Sequence, residues 1–540
     1  MKARPHPWPS YFLQNHGLQM RRGTVTMKFR MMMWGTWVLS TLVMATTHAQ
    51  TVREACAPDI AKFCRDAPDP QSRKQCMMEH GSELSEGCRT AYQEAQRANG
   101  KPDSASTQGS VPSTDAVNST AARTGLAVPD GGFDTVAARI AGRNFPSIFA
   151  PWGLAENLRQ PDGRTVPLQA SESPLSIRAR HDFFFSDFPA MGLKVADGVQ
   201  YVVLTPEFAP ESIPVALNNR AKLLAMNPHM LIFASIQYFS ARDTYLPLGS
   251  PFWLHDEKNE RFQRNNTEYR SARINFANPE FQDKVAAYCA AVLKTGVFDG
   301  CMLDWWHDDD QMGSARVALI RKIRAAIPEK AILIGNVNGK LPERTVPYLN
   351  GIYMEGLGAF FFPDWRTAAS NLIWAESHLR KPAITALEGW YGCPTPDCRS
   401  GDPAQLQQQG RADLGRMRFV TTLSLVFSNG YVLFSDPNPL PTPDHLHDWY
   451  PFWDKSLGKP TGPRANLDRP DLSGAYTRRY ENGEVVFNPP SNRPVTVNFQ
   501  TPMRSAASGQ TGRAFTVAGG DGDLFLNGVA AEDVGNRTPR

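Results

Sequence analysis

The sequence predicts an α/β protein built around a (β/α)8 TIM barrel, and three observations support that prediction. Eight short apolar runs lie between residues 139 and 457. They are rich in β-branched and aromatic residues without strict alternation, which is typical of parallel strands buried on both faces. Amphipathic helical patterns separate them, as a barrel requires. No glycine-rich phosphate loop follows the first run, which disfavours the alternative of a doubly wound open sheet.

The eight runs define the expected strands in chain order. They read SIFAPWG, VQYVVLTPEF, HMLIFASIQY, FDGCMLDWW, KAILIGNVNG, NGIYMEGLG, PAITALEGW and GYVLFSDP. The intervening pattern PEFQDKVAAYCAAVLKTG begins with a proline and closes with a glycine, as helices often do. The first strand is ambiguous, because RHDFFFSD at residues 180–187 competes with SIFAPWG for that place.

The segments around the barrel, which we place at residues 136–458, have different compositions. Residues 96–135 are rich in Ser, Thr, Ala, Pro and Gly, and such a composition predicts a flexible linker. After the barrel, AYTRRYENGEVVFNPP alternates and contains an Asn-Gly turn, which indicates a β-hairpin. We therefore expect a small antiparallel β domain at residues 459–527, packed on the barrel.

The N-terminal region predicts export. Residues 27–49 contain two cations, an apolar stretch and small residues before Ala49, which is the pattern of a signal peptide. An uncleaved anchor is the alternative. No later stretch approaches a transmembrane helix, so we expect a secreted or periplasmic protein without a stable membrane span after signal removal.

Export gives meaning to the eight cysteines. Four of them lie within residues 51–95, and in an oxidising compartment they predict a small disulfide-rich helical module; they are Cys56, Cys64, Cys76 and Cys88. A zinc site is the rival interpretation, but the paired C-x2-C spacing is missing. Cys393 and Cys398 bracket a tight loop and could form a further disulfide. Cys289 and Cys301 are expected to be buried thiols.

The cysteine-rich segment is similar to a known repeat. Its patterns C-x2-DI-x-KFC and H-x3-LS-x2-C resemble the cysteine-rich repeat of the Golgi cysteine-rich glycoprotein. The resemblance names no partner for the module. Over the whole chain, 57 basic and 53 acidic residues nearly balance, so we expect no nucleic-acid partner.

The expected strand ends carry the residues that could perform chemistry, because TIM barrels place reactive groups at the carboxyl ends of their strands. These ends carry acids and amides: Glu207, Gln237, Asp304, Asn336, Asn338, Glu355, Glu388 and Asp436. Carboxylates beside aromatic platforms are what a sugar site needs. The residues expected to bind a carbohydrate substrate are Glu388, Trp305, Trp306, Asp308, Asn336, Asn338, Trp390, Tyr238 and Asp182.

The fourth run, FDGCMLDWW, carries a resemblance to a family. The barrel segment resembles glycoside hydrolases with a DG-x-x-LD fourth strand. More narrowly, it resembles the hypothetical glycosyl hydrolase family 15 group through FDGCMLDWW, GIYMEG and RRYENGEVVFNPP, over residues 139–499. The resemblance implies an exported glycoside hydrolase that uses two carboxylates and no cofactor. It implies Asp304 as nucleophile and Glu355 as proton donor. Several such barrels have aspartate on strand six, so the stereochemical outcome stays open.

The two acids on strands six and seven have similar settings. Glu355 lies among apolar residues and glycines, where burial should raise its carboxyl pKa and suit it to donate a proton. Glu388 in ALEGWYG has nearly the same setting and is the reserve acid. For each of these residues the structural alternative is an acid that caps the next helix.

Two other functions fit parts of the same pattern. One is a secreted carbohydrate-binding protein on a degenerate barrel that has lost one acid. The other is a metal-dependent polysaccharide deacetylase that would use His307 with the acids at 308–310. Consecutive acids point in different directions and a zinc site wants a second histidine, so we predict no metal site.

Overall fold

The structure is a computed structural model of the 540-residue chain. It describes residues 56–63, 85, 87–88, 132–160, 164–168, 172–256, 263–264, 271–358, 364–391, 402–437 and 445–527. The predicted signal peptide, nearly all of the predicted linker and four of the cysteines lie outside these ranges; the cysteines are Cys64, Cys76, Cys393 and Cys398. The chain divides into two units at residues 1–118 and 119–540, which we describe separately.

The described part of the first unit is centred on a disulfide. Cys56 is bonded to Cys88, which confirms that the cysteine-rich segment carries a disulfide. Helix α1, Ala57–Phe63, starts next to the first of these cysteines. Asp59 in its first turn accepts hydrogen bonds from the backbone N–H and the hydroxyl of Ser85, so the helix is tied to the segment around the second cysteine.

The second unit contains an eight-stranded parallel sheet in sequence order. Its strands are β1 Phe149–Pro151, β2 Phe183–Ser186, β3 Leu231–Ile236, β4 Gly300–Leu303, β5 Ile332–Asn336, β6 Gly351–Leu357, β7 Ile384–Trp390 and β8 Tyr431–Ser435. Each neighbouring pair is parallel. A parallel bridge between Ile148 and Val432 brings the first and last strands together. The prediction of a (β/α)8 barrel is confirmed.

Helices connect the strands and cover the sheet. They are α2 Val136–Gly142, α3 Pro174–Ala179, α4 Ser212–Met226, α5 Pro279–Lys294, α6 Gly313–Ala326, α7 Trp365–His378, α8 Pro403–Arg411 and α9 Leu414–Phe427. Helix α5 begins because the Asn278 side chain caps the N–H groups of Glu280 and Phe281. Within the described ranges, no helix combines the length and apolar character needed to cross a membrane.

Short segments complete the second unit around the barrel. Strands Ala155–Arg159, Thr165–Pro167 and His447–Trp449 form one small sheet, and Ser240–Arg242, Gln263–Arg264 and Ser271–Arg273 form another. Single 3-10 turns occur at Gly132–Thr135, Phe188–Met191, Val346–Tyr348 and Pro470–Leu472. Cys289 on α5 and Cys301 on β4 are buried free thiols, as expected.

The second strand differs from the prediction. The run VQYVVLTPEF forms turns, and FFFS at 183–186 is strand β2 in its place. Three consecutive phenylalanines are almost wholly buried there, and the strand pairs with β1 and β3. Pro206 in the competing run has no N–H to donate to a sheet. Glu207 therefore ends no strand, and Asp187 takes the position that was assigned to it.

The amino end of the barrel is fixed by a buried ion pair. Asp299, just before β4, accepts hydrogen bonds from Arg139 of α2 and Arg220 of α4. It also accepts one from the N–H of Ile232 on the neighbouring strand, at 2.9 Å. Burial alone would raise the pKa of Asp299, but Arg220 and Arg139 outweigh that effect and hold the pKa below its ordinary value.

The C-terminal region forms an antiparallel sheet. Its strands are β9 Tyr476–Tyr480, β10 Gly483–Asn488, β11 Val495–Ser505, β12 Thr511–Val517 and β13 Asp521–Asn527, in the order β9-β10-β13-β11-β12. The sheet packs on α9. Arg418 of α9 forms an ion pair with Asp521 at 2.6 Å, and a Cβ at Gly522 would overlap the Thr422 side chain. The predicted C-terminal β domain is confirmed as a fold, whereas its bounds stay predictions.

Candidate active site

Three strands bring two carboxylates and one amide together at the carboxyl end of the barrel. Asp304 follows β4, Asn336 ends β5 and Glu355 lies in β6. The Asn336 Nδ2 donates to Asp304 Oδ1 at 3.0 Å and to Glu355 Oε2 at 2.7 Å. The amide is oriented by its other end, because Asn336 Oδ1 accepts a hydrogen bond from the Asn338 N–H at 3.3 Å. One asparagine therefore bridges the two acids.

The bridge limits the distance between the two acids. Both oxygens are bonded to the same nitrogen, so they lie within about 6 Å of each other. If each oxygen lies on one of the two N–H bonds of the amide, the separation is about 5 Å. Such a distance between these two oxygens is compatible with the spacing of about 5 Å in retaining glycosidases, whereas inverting enzymes hold their carboxyl groups about 6.5 Å or more apart.

Glu355 has the properties of a proton donor. It is only 7% exposed, and burial is the main reason that the pKa of Glu355 is raised to about 8. The charge on His445 opposes the increase, whereas Glu388 and Asp304 add to it. A second amide, Asn338 Nδ2, lies 3.4 Å from the same Oε2 that the bridging asparagine contacts. The carboxyl therefore holds its proton at neutral pH.

Glu388 on β7 is buried, and both of its carboxylate oxygens form hydrogen bonds. Its side chain is 0% exposed. Tyr353 donates to its Oε2, and Ser435 donates to its Oε1. His445 Nδ1 lies 2.9 Å from the same Oε1. Both oxygens of Glu388 are hydrogen-bonded and the side chain has no exposed surface, so its expected contact with a substrate stays a prediction.

Asp187 is a third acid at the carboxyl end. It follows β2 and is exposed at the rim. Surrounding protein atoms and the Asp304 carboxylate raise its carboxyl pKa. Sequence reasoning missed Asp187 because the second strand was assigned to the wrong run. The available signal was the string DFFFSD, three apolar residues that end in a serine and an acid.

The tryptophans near the strand ends divide into half-buried and fully buried ones. Trp305 is half-buried and has a positive φ of 51°, which is uncommon for a bulky residue. Trp306 is fully buried, and its indole N–H donates to Thr345 Oγ1 at 2.9 Å. Trp390 is fully buried too. Trp152, after β1, is half-buried with a φ of 47°, and sequence reasoning did not select it.

Two residues hold the backbone of Trp305 in its unusual conformation. The Tyr238 hydroxyl donates to the Trp305 carbonyl at 2.9 Å, and Arg316 Nη2 donates to the same oxygen at 3.3 Å. Arg316 Nε donates in turn to the Tyr238 hydroxyl at 3.0 Å. Tyr238 is 0% exposed. It therefore positions Trp305 from below, although the sequence indicated a direct substrate contact.

The four side chains of the loop HDDD, residues 307–310, contact different groups, in line with the expectation that consecutive acids point in different directions. His307 bonds to Asn338 at 2.7 Å, and the next three acids contact other groups. The Asp308 Oδ2 is buried and accepts hydrogen bonds from the Arg344 and Thr345 N–H groups and from the Thr345 hydroxyl. Asp309 pairs with Lys340, and Asp310 pairs with Arg316. Asp308 therefore links its loop to residues 344–345, and its expected substrate contact stays a prediction.

The remaining candidates lie at different positions in the barrel. Asp182 precedes β2, so it lies at the amino end of the barrel, where it accepts hydrogen bonds from Ser147 and Asn227. We leave it out of the site. Asp436 follows β8, but it is buried and accepts hydrogen bonds from Arg411. Gln237 follows β3 and is exposed.

Comparisons with known proteins give structural likenesses only. Neither the protein-family models nor the curated proteins contain a match. An α-amylase from Lactobacillus plantarum is similar at 10% identity and a TM-score of 0.42, over 73% of this chain and 100% of that one. The glycoside hydrolase domain of PelA from Pseudomonas aeruginosa is similar at 13% identity and a TM-score of 0.30, over 56% and 100%.

A third neighbour belongs to the same broad class. It is a noncanonic maltogenic α-amylase from Thermotoga neapolitana, at 10% identity and a TM-score of 0.38, over 65% of this chain and 91% of that one. All three neighbours are named as amylases or a glycoside hydrolase domain. Likenesses this distant carry no argument about chemistry, which rests on the residues of the site. The family 15 resemblance and the Golgi-type repeat stay predictions.

Proposed function

We propose that this protein is an exported glycoside hydrolase that cleaves the glycosidic bonds of an oligo- or polysaccharide with two carboxylates. The observation that supports the proposal is the Asn336 bridge, in which one oxygen of Asp304 and one of Glu355 accept hydrogen bonds from the same nitrogen, so that the two acids are close enough to act as a retaining pair. The two acids have different environments, and we assign their roles in catalysis from that difference. The acid with the raised pKa donates the proton, and its partner attacks.

In the first step, Glu355 transfers its proton to the leaving oxygen. Both amide contacts of Glu355 fall on Oε2, so we assign the transferred proton to Oε1. The Asp304 carboxylate attacks the anomeric carbon as the bond to the leaving oxygen breaks, and a glycosyl ester forms. In the second step, ionised Glu355 takes a proton from a water molecule, whose oxygen displaces Asp304 from the sugar. Both carboxyl groups then return to their starting states.

Aromatic residues at the rim would bind the sugar. Trp305 after β4 and Trp152 after β1 are half-buried, so each keeps a surface on which the apolar face of a pyranose can stack. Both carry a positive φ, and such backbone strain is concentrated at functional sites. The mechanism requires no cofactor, because the two acids supply both the proton and the nucleophile.

The test is hydrolysis of a polysaccharide panel by the purified mature chain beside Asp304→Asn and Glu355→Gln. Asp309→Asn is the matched control, because Asp309 is an exposed acid of the same loop that pairs with Lys340. We expect both active-site variants to lose hydrolysis and the control to keep it, with all three folded by circular dichroism.

Other outcomes would redirect the proposal. Activity that survives in Glu355→Gln but disappears in Glu388→Gln would move proton transfer to β7. Sugar binding by the parent chain without hydrolysis of any polysaccharide would favour the binding-protein alternative, for which the rim tryptophans suffice. Loss of activity on chelation would favour the deacetylase alternative.

A further inference from the structure

A cleft of about 310 Å³ lies where the C-terminal β domain meets α9. The barrel side contributes Arg418 of α9 and Lys455, and the β domain contributes Arg504 of β11. Arg159 adds a fourth cation to the lining. No aspartate or glutamate lines this cleft among the described residues, although the charges of the whole chain nearly balance.

Two of the four cations are neutralised and two are not. Arg159 is paired with Asp448 at 2.7 Å, and Arg418 holds both carboxylate oxygens of Asp521. Neither Lys455 nor Arg504 has an acidic partner in the part of the chain that the structure describes. Lys455 is half-buried and Arg504 is exposed. The cleft therefore presents two unneutralised positive charges.

Apart from one glutamine and two serines, most of the remaining side chains of the lining are apolar. Phe452 and Met417 are buried in the wall, and Leu414 is 37% exposed at its edge. A small inorganic anion would leave most of this surface uncovered. A pyranose ring that carries an anionic group matches both features, because its apolar face can contact the wall while the anion pairs with the cations. The volume is also at the lower end of the range typical of ligand sites.

We propose that this cleft is a second carbohydrate site, which binds an anionic sugar unit of a polysaccharide, carboxylated or sulfated. Lys455 and Arg504 pair with the anionic group, and the apolar wall contacts the ring. The site goes beyond the proposed hydrolysis, because it retains a polymer chain without taking part in bond cleavage. The ionised Asp304 at the barrel end repels anions, which disfavours an acidic sugar there, whereas the cations of the cleft attract it.

Calorimetric titration of the full mature chain with an oligogalacturonate tests the carboxylated form. Asp304→Asn serves as the background, so that hydrolysis cannot interfere. We expect binding, weakened at least about 10-fold by combined Lys455→Ala and Arg504→Ala. Arg513→Ala is the matched control, because Arg513 is exposed on the adjacent strand β12 and does not line the cleft. It should change the Kd less than about 2-fold.

Three further ligands identify what the cleft recognises. The methyl-esterified oligogalacturonate has the same backbone without the charge and should bind at least about 10-fold more weakly. A sulfated oligosaccharide that binds more tightly than the galacturonate would assign the sulfated form. Inorganic sulfate that binds as tightly as either sugar would overturn the proposal, and so would equal binding by the double variant and its parent.

The experiments distinguish a failure of the proposed anionic-sugar site from a failure of the proposed hydrolase function. The double variant in the wild-type background keeps the bridged acids, so hydrolysis of a short neutral substrate should be unchanged. A chain that hydrolyses sugars but binds no anionic oligosaccharide overturns only the cleft. A chain that binds the oligosaccharide through Lys455 and Arg504 but hydrolyses nothing overturns only the enzyme.

Discussion

The two ends of strand β4 carry one aspartate each, five positions apart, in opposite surroundings. Asp299 at the amino end is paired with two buried arginines, which lower its pKa. Asp304 at the carboxyl end is bridged by an amide to another acid, and its charge adds to the burial that raises the pKa of Asp187 and Glu355. At the amino end the arginines neutralise the charge of the aspartate, whereas the carboxyl end brings several acids close together.

The difference agrees with separate roles for the two ends of the barrel under the proposed function. Acids that are placed together destabilise one another, and a fold retains such an arrangement when the chemistry needs it. An acid between two arginines stabilises the folded chain, and its oxygens are not available to a substrate. This division agrees with the general rule for TIM barrels, in which the carboxyl end carries activity and the amino end carries stability. Four experiments can break or sharpen this comparison.

Asp304→Asn should have the largest effect, on activity alone. We expect kcat/KM to fall on the order of 10⁴-fold, because the amide cannot form the covalent intermediate. The unfolding free energy should change by less than about 1 kcal/mol, since the amide keeps the size of the side chain and one crowded charge is lost. Kinetics on the best panel substrate and urea unfolding measure the two quantities. An unfolding loss that accounts for the activity loss would contradict the comparison.

Asp299→Asn should show the reverse pattern. Removing this charge leaves Arg139 and Arg220 buried without a carboxylate, which should cost about 3–5 kcal/mol of unfolding free energy. The kcat/KM of the fraction that remains folded should stay within about 3-fold of wild type. Urea unfolding and active-site-normalised kinetics measure these effects. Full stability in the variant would show that the ion pair does not fix this end of the barrel.

Glu355 should make stability depend on pH. Its pKa is about 8 in the folded chain against 4.5 for an ordinary glutamate, so between these values the folded state keeps a proton that the unfolded chain has lost. The stability from the neutral carboxyl is therefore complete below pH 4.5 and is lost as pH rises through about 8. The decline should reach up to about 1.4 kcal/mol per pH unit in wild type and be shallower in Glu355→Gln.

Urea unfolding of both proteins at intervals from pH 5 to pH 9 measures this difference. Parallel curves for wild type and Glu355→Gln would contradict the raised pKa. The same ionisation should remove activity at alkaline pH, because only the protonated acid can serve the leaving oxygen. We therefore expect kcat/KM to fall as pH rises through about 8.

Trp305→Ala should have the smallest effect. Loss of one stacking platform should raise KM about 10-fold, equivalent to about 1.4 kcal/mol, with kcat changed less than about 3-fold. Trp306→Phe is the comparison variant, because Trp306 is buried and contacts Thr345. It should lower stability and leave KM near the wild-type value. A KM that responds to Trp306 more than to Trp305 would reverse the assignment of the two rings.

Seven of the eight barrel strands could be predicted from the sequence, because each is a continuous apolar run bounded by turn residues. The second could not, because VQYVVLTPEF has the local character of a strand, and only the packing of Phe183, Phe184 and Phe185 in the barrel decides between the runs. The strand ends placed both bridged acids among the candidates, and the family resemblance selected them as a pair. The hydrogen bonds of Glu388 could not be predicted from the sequence, because the partners lie in other segments of the chain. These partners are Tyr353, Ser435 and His445.

The stereochemistry of hydrolysis tests the central claim most directly. The claim is that Asn336 holds Asp304 and Glu355 close enough for direct attack on the sugar. Proton NMR of the first product that wild-type enzyme releases from its best substrate identifies the anomer before mutarotation. The geometry predicts retention of the anomeric configuration. Inversion would mean that a water molecule fits between the acids, and it would contradict Asp304 as the nucleophile.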